Sequence, residues 1–247
     1  MDRMIYIGMT GAKQAFEQQA SVANNMANVS TPGFRAQINN YLAVPVVGAE
    51  LATRAMVTAS TAGADLRSGP LLPTGRALDV AVRGDGWLTV KLPDGSEAFT
   101  RVGNLQVGAD GQLQTMDARP LVGEAGPLVV APGSALTVTN DGLVSAQAGD
   151  DPSGAATEVG RLKLVNPPAA DLVRGEDGLF RLRPGAAAAP MDPNVRLRSG
   201  VLEGSNVNPV EAMVAMISNA RRFEMQMKTL QTAESNDQQA NKLLSAN

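Results

Sequence analysis

Each end of this chain carries a stripe of apolar residues spaced four and three alternately, and the long stretch between the two carries none. At the N-terminal end the stripe is Ile5, Met9, Ala12, Phe16, Gln19, Ala23 and Met26, with Gln19 its one polar member. That spacing lines the side chains along one face of a helix, the seam by which helices pair in a coiled coil. The helix is predicted from about residue 3 to about residue 28, since Ser30-Thr31-Pro32-Gly33 cannot continue it. At the C-terminal end the stripe is Met213, Met216, Ala220, Phe223, Met227 and Leu230, on a helix predicted over about 208–244. Asn208 is its predicted N-cap, and Pro209 falls in the first turn, where proline is tolerated. Val210, Val214 and Ile217 widen the apolar face early in this helix, so more than one neighbour is expected to cover it. The frame then runs through Glu234, Asp237 and Asn241 to Leu244, and the seam turns polar.

The middle of the chain has a different texture. Residues 77–82 and 87–92 are short strand-like runs, and Asp-Gly pairs recur at 85–86, 94–95, 110–111, 141–142 and 177–178 beside apolar segments. Asp-Gly supplies the positive φ that tight hairpin turns require, so an antiparallel β domain is predicted over 71–195. The alanines of 186–189, set between Pro184 and Pro190, read as loop. Residues 34–70 mix Ala, Val and small polar residues without a firm period and read as an extended or irregular connector. The predicted organisation is α+β: an N-terminal helix (1–33), the connector (34–70), a β-rich domain (71–195), and a return segment with the C-terminal helix (196–247). Two arrangements are open. The terminal helices pair as an antiparallel coiled coil with the β domain inserted between them, or they form an ordinary helix pair in a monomer.

Composition narrows the function classes. The chain has no His and no Cys, which removes Ser-His-Asp and Cys-His catalysis, His- or thiolate-bound zinc, and disulfides. Only 3% of residues are aromatic, so a core must be built from Ala, Val, Leu and Met, each contact burying less area. That suits a protein stabilised by many neighbours better than a compact catalytic monomer. The formal net charge is −3 with no concentrated basic face, which argues against a nucleic-acid partner. Lys13, Glu17, Gln18 and Gln19 interrupt the first apolar stripe, so it does not read as a cleavable signal, and no run is long enough to span a bilayer. Gly84-Asp85-Gly86 lacks the third glycine and the following helix of a dinucleotide loop. No catalytic, cofactor-binding or metal-binding residues are predicted.

The segment from Ala23 through Asn24, Asn25, Met26, Ala27, Asn28, Val29, Ser30, Thr31, Pro32 and Gly33 to Phe34 resembles the N-terminal signature of flagellar rod and hook proteins. Glu203-Gly204-Ser205-Asn206-Val207-Asn208-Pro209-Val210, then Met213-Val214-x-Met216-Ile217 and Ala220-Arg221-Arg222-Phe223-Glu224, resemble the family's C-terminal region. Leu78-Asp79-Val80-Ala81-Val82-x-Gly84-x-Gly86 and Phe99-Thr100-Arg101-x-Gly103 are similar to its central β region. Within the family, the opening Met-Asp-Arg-x-Ile-Tyr and Ala-Arg-Arg-Phe-Glu-Met-Gln look most like a proximal-rod member, with the distal-rod member as the alternative. The resemblance implies a structural subunit, not an enzyme. It implies export through the flagellar type III apparatus and assembly in the basal body, in the periplasmic space, with other copies of itself and neighbouring rod proteins. It also implies that the terminal helices line an inner tube while the β domain packs outside, with no membrane insertion and no cofactor.

Against this stand a secreted glycan hydrolase using two carboxylates and an adhesin with a coiled-coil stalk. The acids of the β region sit mainly in Asp-Gly turns, where the turn is sufficient explanation. Thr31-Pro32-Gly33-Phe34 is expected to redirect the chain with Phe34 as apolar anchor. Asn24, Asn25 and Asn28 either bond across subunits or cap the helix end. Arg221, Arg222 and Glu224 read as a solvated face or as intersubunit ion pairs.

Overall fold

The computed structural model describes residues 2–45, 55–131, 133–148 and 155–245. The chain divides into two compact units, each assembled from separate stretches. The first comprises Met1–Val29, Gln37–Ala64 and Val207–Asn247; the second comprises Ser30–Ala36 and Asp65–Asn206.

In the first unit α1 (Asp2–Ala27) is followed by the antiparallel ribbon of β1 (Gln37–Pro45) and β2 (Ala55–Ala64), and α2 (Pro209–Ser245) closes the chain. Both helix ends follow from local chemistry. Asn28 closes the end of α1, its amide N–H donating to the carbonyls of Asn24 and Asn25 and its Nδ2 to the Asn24 carbonyl at 2.9 Å. Asn208 caps α2, its Oδ1 accepting from the N–H groups of Val210 and Glu211 at 3.0 and 3.3 Å. Pro209 is the first helical residue, where a missing N–H leaves no bond unmade. The ribbon occupies the predicted connector. Residues 55–64 alternate no hydropathy because they are mostly Ala, Thr, Ser and Gly, so a ladder held by backbone bonds is invisible to a period count.

α1 and α2 run antiparallel and touch. Their contact is made of small residues: a Cβ on Gly8 would lie 2.8 Å from Leu230 Cδ2, and one on Gly11 would lie 3.1 Å from Gln226. Ala12 and Ala15 are buried on α1, as are Ala212 and Ala233 on α2. Close backbone approach is possible only where side chains stop at Cβ or before it, and that selects this face over the larger residues beside it.

The second unit is antiparallel β throughout its described ladders. Its strands are β3 (Leu71–Pro73), β4 (Val80–Arg83), β5 (Trp87–Lys91), β6 (Glu97–Thr100), β7 (Leu105–Val107), β8 (Leu113–Thr115), β9 (Val122–Gly123), β10 (Gly126–Pro127) and β11 (Ala135–Val138). They continue as β12 (Leu143–Gln147), β13 (Thr157–Arg161), β14 (Leu164–Val165), β15 (Leu172–Arg174), β16 (Phe180–Leu182), β17 (Arg196–Ser199) and β18 (Val201–Glu203). The largest sheet has the order β14-β5-β6-β16-β15. The Asp-Gly pairs at 94–95, 110–111, 141–142 and 177–178 make the hairpins β5–β6, β7–β8, β11–β12 and β15–β16, and each of those glycines has positive φ. Asp85-Gly86 instead joins β4 to β5, which lie in different sheets. The core is Val80, Val82, Leu88, Val90, Leu105, Leu113, Val144, Leu162 and Leu164 with their neighbours, aliphatic as the composition demands. β17 and β18 belong to this unit, pairing with β4 and β3, so it reaches Asn206 instead of ending near residue 195. The cause is legible: Val195, Leu197 and Val201 are buried while Arg196 and Arg198 are exposed, the alternation of a half-buried strand.

Candidate functional site: a buried ion cluster and exposed apolar helix faces

Three of the motifs singled out above converge inside the second unit. Arg35 follows the Thr31–Phe34 turn, Arg101 ends the Phe99-Thr100-Arg101 run, and Glu203 opens Glu203-Gly204-Ser205-Asn206. The Glu203 carboxylate is fully enclosed and accepts from Arg35 Nη2 at 2.7 Å, Arg101 Nη1 at 3.2 Å and the Gly69 N–H at 2.9 Å. Arg35 and Glu203 are each 1% exposed and Arg101 3%. Two guanidinium groups thus share one carboxylate, leaving a surplus positive charge in the interior. Part of the compensation is the ring of Trp87, whose centroid lies 5.2 Å from Arg101 Cζ and 5.9 Å from Arg35 Cζ. Phe180 packs on that ring at 4.5 Å between centroids. Arg101 Nη2 also donates to the Gly84 carbonyl at 2.8 Å. Burial pushes the Arg101 guanidinium below its ordinary pKa, and the Glu203 charge opposes the shift.

The segments that carry these residues are held by further bonds. The Thr31–Phe34 turn is closed by the Phe34 N–H donating to the Thr31 carbonyl, with Pro32 and Gly33 at its centre. Gly33 has φ +68°, and a Cβ there would lie 2.4 Å from the Arg101 carbonyl carbon, so the turn admits only glycine. The Gly33 N–H donates to the Glu203 carbonyl at 2.7 Å. Phe34 is half-buried beneath the Arg174 guanidinium, 4.7 Å from Cζ to ring centroid. Asn206 accepts from the Ala36 N–H at 2.7 Å and donates to the carbonyls of Asp65 and Arg67 at 2.8 and 2.9 Å. The whole arrangement fastens residues 31–36, 65–69 and 203–206 together. Its carboxylate accepts from three donors carried by three separate segments, so it holds chain. Among the described residues, no three acidic side chains gather as metal ligands.

The asparagines of the N-terminal motif divide their work. Within the first unit the Asn25 side chain accepts from the Gln37 N–H at 2.7 Å and donates to the Gln37 carbonyl at 2.9 Å, imitating a strand partner at the start of β1. Asn28 closes its own helix, and Asn24 is exposed.

The predicted seams take two positions. Ala12 is buried against α2, and Met26, Met216 and Leu230 are half-buried. Met9 (59% exposed) and Phe16 (66%) point away from that contact, and Ala23 is exposed. On α2 Val210, Met213, Val214, Ile217, Ala220, Phe223 and Met227 are exposed, with Met225 beside them. The side chain of Ile5 lies outside the described residues. The intramolecular contact takes Ala12 and Leu230 from the predicted seams and leaves most of their larger residues in water, because the close approach described above selects small residues. A cleft of about 340 Å³ on the exposed face of α2 is lined by Val214, Ile217, Ser218, Arg221, Arg222 and Met225. Arg35, Arg101, Glu203 and Asn206 were given no role by sequence reasoning. The available signal was charged and amide residues standing within motifs otherwise made of small and apolar ones.

Three family models match in the order of the chain: "Flagella basal body rod protein" over residues 5–35, "Flagellar hook protein FlgE/F/G D1 domain" over 81–146, and "Flagellar basal body rod FlgEFG protein C-terminal" over 198–243. The chain is 53% identical to the flagellar basal-body rod protein FlgF of Salmonella typhimurium and 51% identical to that of Escherichia coli, covering 99% of both chains in each comparison. It is 30% identical to the flagellar basal-body rod protein FlgG of Agrobacterium fabrum over 94% of this chain and 95% of that one. The identities above 50% are both to FlgF proteins, in line with the resemblance of the opening and closing motifs. On this evidence the chain belongs to the flagellar basal-body rod protein family and most resembles its FlgF members.

Proposed function

We propose that this chain is a structural subunit of the proximal rod of the flagellar basal body, exported by the flagellar type III apparatus and polymerised with copies of itself and with neighbouring rod proteins. In this reading the terminal helices pair as a coiled coil and line the inner tube, and the β unit packs outside. The observation that carries it is the row of large apolar side chains left in water along both helices. Phe16 is 66% exposed, Val210 67%, Val214 62% and Ile217 56%, on a protein whose β core is complete without them. A row of that kind marks a surface made to be covered.

The test is complementation of cells that lack this subunit. Restored motility, with the chain recovered in purified basal bodies, is the expected result. Recovery only in the culture fluid, with motility restored, would overturn the rod assignment.

A further inference from the structure

The α1–α2 contact contains two buried polar atoms without hydrogen-bond partners, Gln19 Oε1 and Asn219 Nδ2. Asn219 is 2% exposed, Gly8 and Gly11 meet Leu230 and Gln226 across the contact, and Ala12, Ala15, Ala212 and Ala233 are buried on the two helices. The two orphans stand across from each other. Gly11 faces Gln226; two helical turns further along α1, and two turns back along α2, bring Gln19 to Asn219. One atom is an acceptor and the other a donor. Both belong to side chains with rotatable terminal torsions, and an Nδ2–H turned toward Oε1 would satisfy both atoms with one bond.

We propose that Gln19 and Asn219 are each other's partner and that this amide pair sets the register of α1 on α2. A face of Gly and Ala gives close approach but few interlocking knobs. A slip of one heptad that sets Gly11 on Ala220 again puts small residue on small residue there, with Phe223 in the place of Leu230 opposite Gly8. A buried amide pair does not tolerate that slip, because Gln19 would then meet Ala212 and Asn219 would meet Ala12, each with its bond unmade. Leu230 against Gly8 adds a second, steric mark. The amides' cost to stability is the ordinary accompaniment of a polar register mark. The proposal rests on the helix-pairing reading above and adds to it the residues that choose the alignment.

The chain has no cysteine, so introduced pairs report alignment cleanly. Ala12→Cys with Gln226→Cys probes the register seen here, and Ala15→Cys with Met216→Cys probes that one-heptad slip. Each pair is placed in the full chain, oxidised in purified basal bodies, and read as an intramolecular crosslink. With the native amides, only the first pair should crosslink. With Gln19→Leu and Asn219→Leu together, the slipped crosslink should rise about tenfold relative to the first, the change expected for one lost buried amide bond. Gln19→Asn with Asn219→Gln keeps a donor and an acceptor and should restore the native pattern. An unchanged pattern in the leucine variant overturns the proposal. If the leucine variant does not assemble, the swapped variant decides: its assembly in register supports the amide pair, and its failure overturns it. No first crosslink in the native background would overturn the helix-pairing reading itself.

Discussion

Replacing Glu203 by Gln changes one atom and removes the only carboxylate that Arg35 and Arg101 share. With the amide oxygen in the place of Oε1, the bonds from Arg35 and the Gly69 N–H survive, but the NH2 then faces the Arg101 guanidinium, donor against donor. Two buried cations then remain with no counter-charge between them. Removing one partner of a buried ion pair costs about 3–5 kcal/mol, because the other charge stays in the interior. For a domain of this size each kcal/mol lowers Tm by about 2–4 °C, so Glu203→Gln should melt about 6–20 °C below the parent. The chain's single Trp is Trp87, whose ring lies against both arginines, so its fluorescence reports the cluster directly. Glu97→Gln is the control: it breaks the half-exposed Lys163–Glu97 pair, worth about 1 kcal/mol or less. A Glu203→Gln melt no lower than the Glu97→Gln melt would refute the claim that the cluster fastens the β unit.

Further outcomes follow from the same geometry. Asn25→Ala leaves the Gln37 N–H without its side-chain partner and the carbonyl with only the Ser21 hydroxyl at 3.5 Å, and amide exchange at Gln37 should quicken about tenfold, as expected for about 1–2 kcal/mol of lost bonding. Unchanged exchange there would show that β1 does not depend on the motif. Asp65, Asp141 and Asp177 are held below the usual carboxylate range, chiefly by side-chain bonds from Arg67, Thr139 and Arg181. A depressed folded-state pKa means that the unfolded chain binds more protons. The contribution is therefore complete above the ordinary carboxylate range and is lost as pH falls through the lowered values. Tm should be flat from neutral pH to about 5 and then drop; a rise on acidification would contradict it. In dilute solution, amides of α1 and α2 should exchange far faster than those of β5 and β6, because a Gly/Ala contact buries little area. Equal protection in helices and sheet would show the helix pair to be stable by itself.

The helix ends were legible because local chemistry decides them: Asn208 and Pro209 at one start, Pro32-Gly33 beyond the other end. The hairpins at Asp94-Gly95 and Asp141-Gly142 were legible for the same reason, a positive φ that few residues supply. The ribbon of β1 and β2 was not, since its small residues carry no alternation for a period to reveal. The contact face of the helices was misplaced because a heptad count follows large apolar residues, whereas close packing selected Gly8, Gly11 and Ala15. The Glu203 cluster was hidden by distance along the chain. Each of its members is an ordinary charged residue until the fold brings positions 35, 101 and 203 together.

The central claim is that the exposed helix faces are covered by neighbouring subunits, and Ala220 tests it most directly. Ala220 is exposed on α2, on the same stripe as Met213, Ile217 and Met227, and away from the Ala212, Asn219 and Ala233 face that meets α1. Arg is nearly as good a helix former as Ala, so Ala220→Arg leaves the subunit's own fold intact. Within a packed interface, the same change buries an unpaired charge at several kcal/mol. Asn241→Arg lies on the exposed polar continuation of α2 and serves as the control. The measurement is the amount of each variant in purified basal bodies, against the amount exported. Ala220→Arg should be exported normally and be nearly absent from basal bodies, while Asn241→Arg is incorporated as the parent is. Equal incorporation of the two variants would contradict the account.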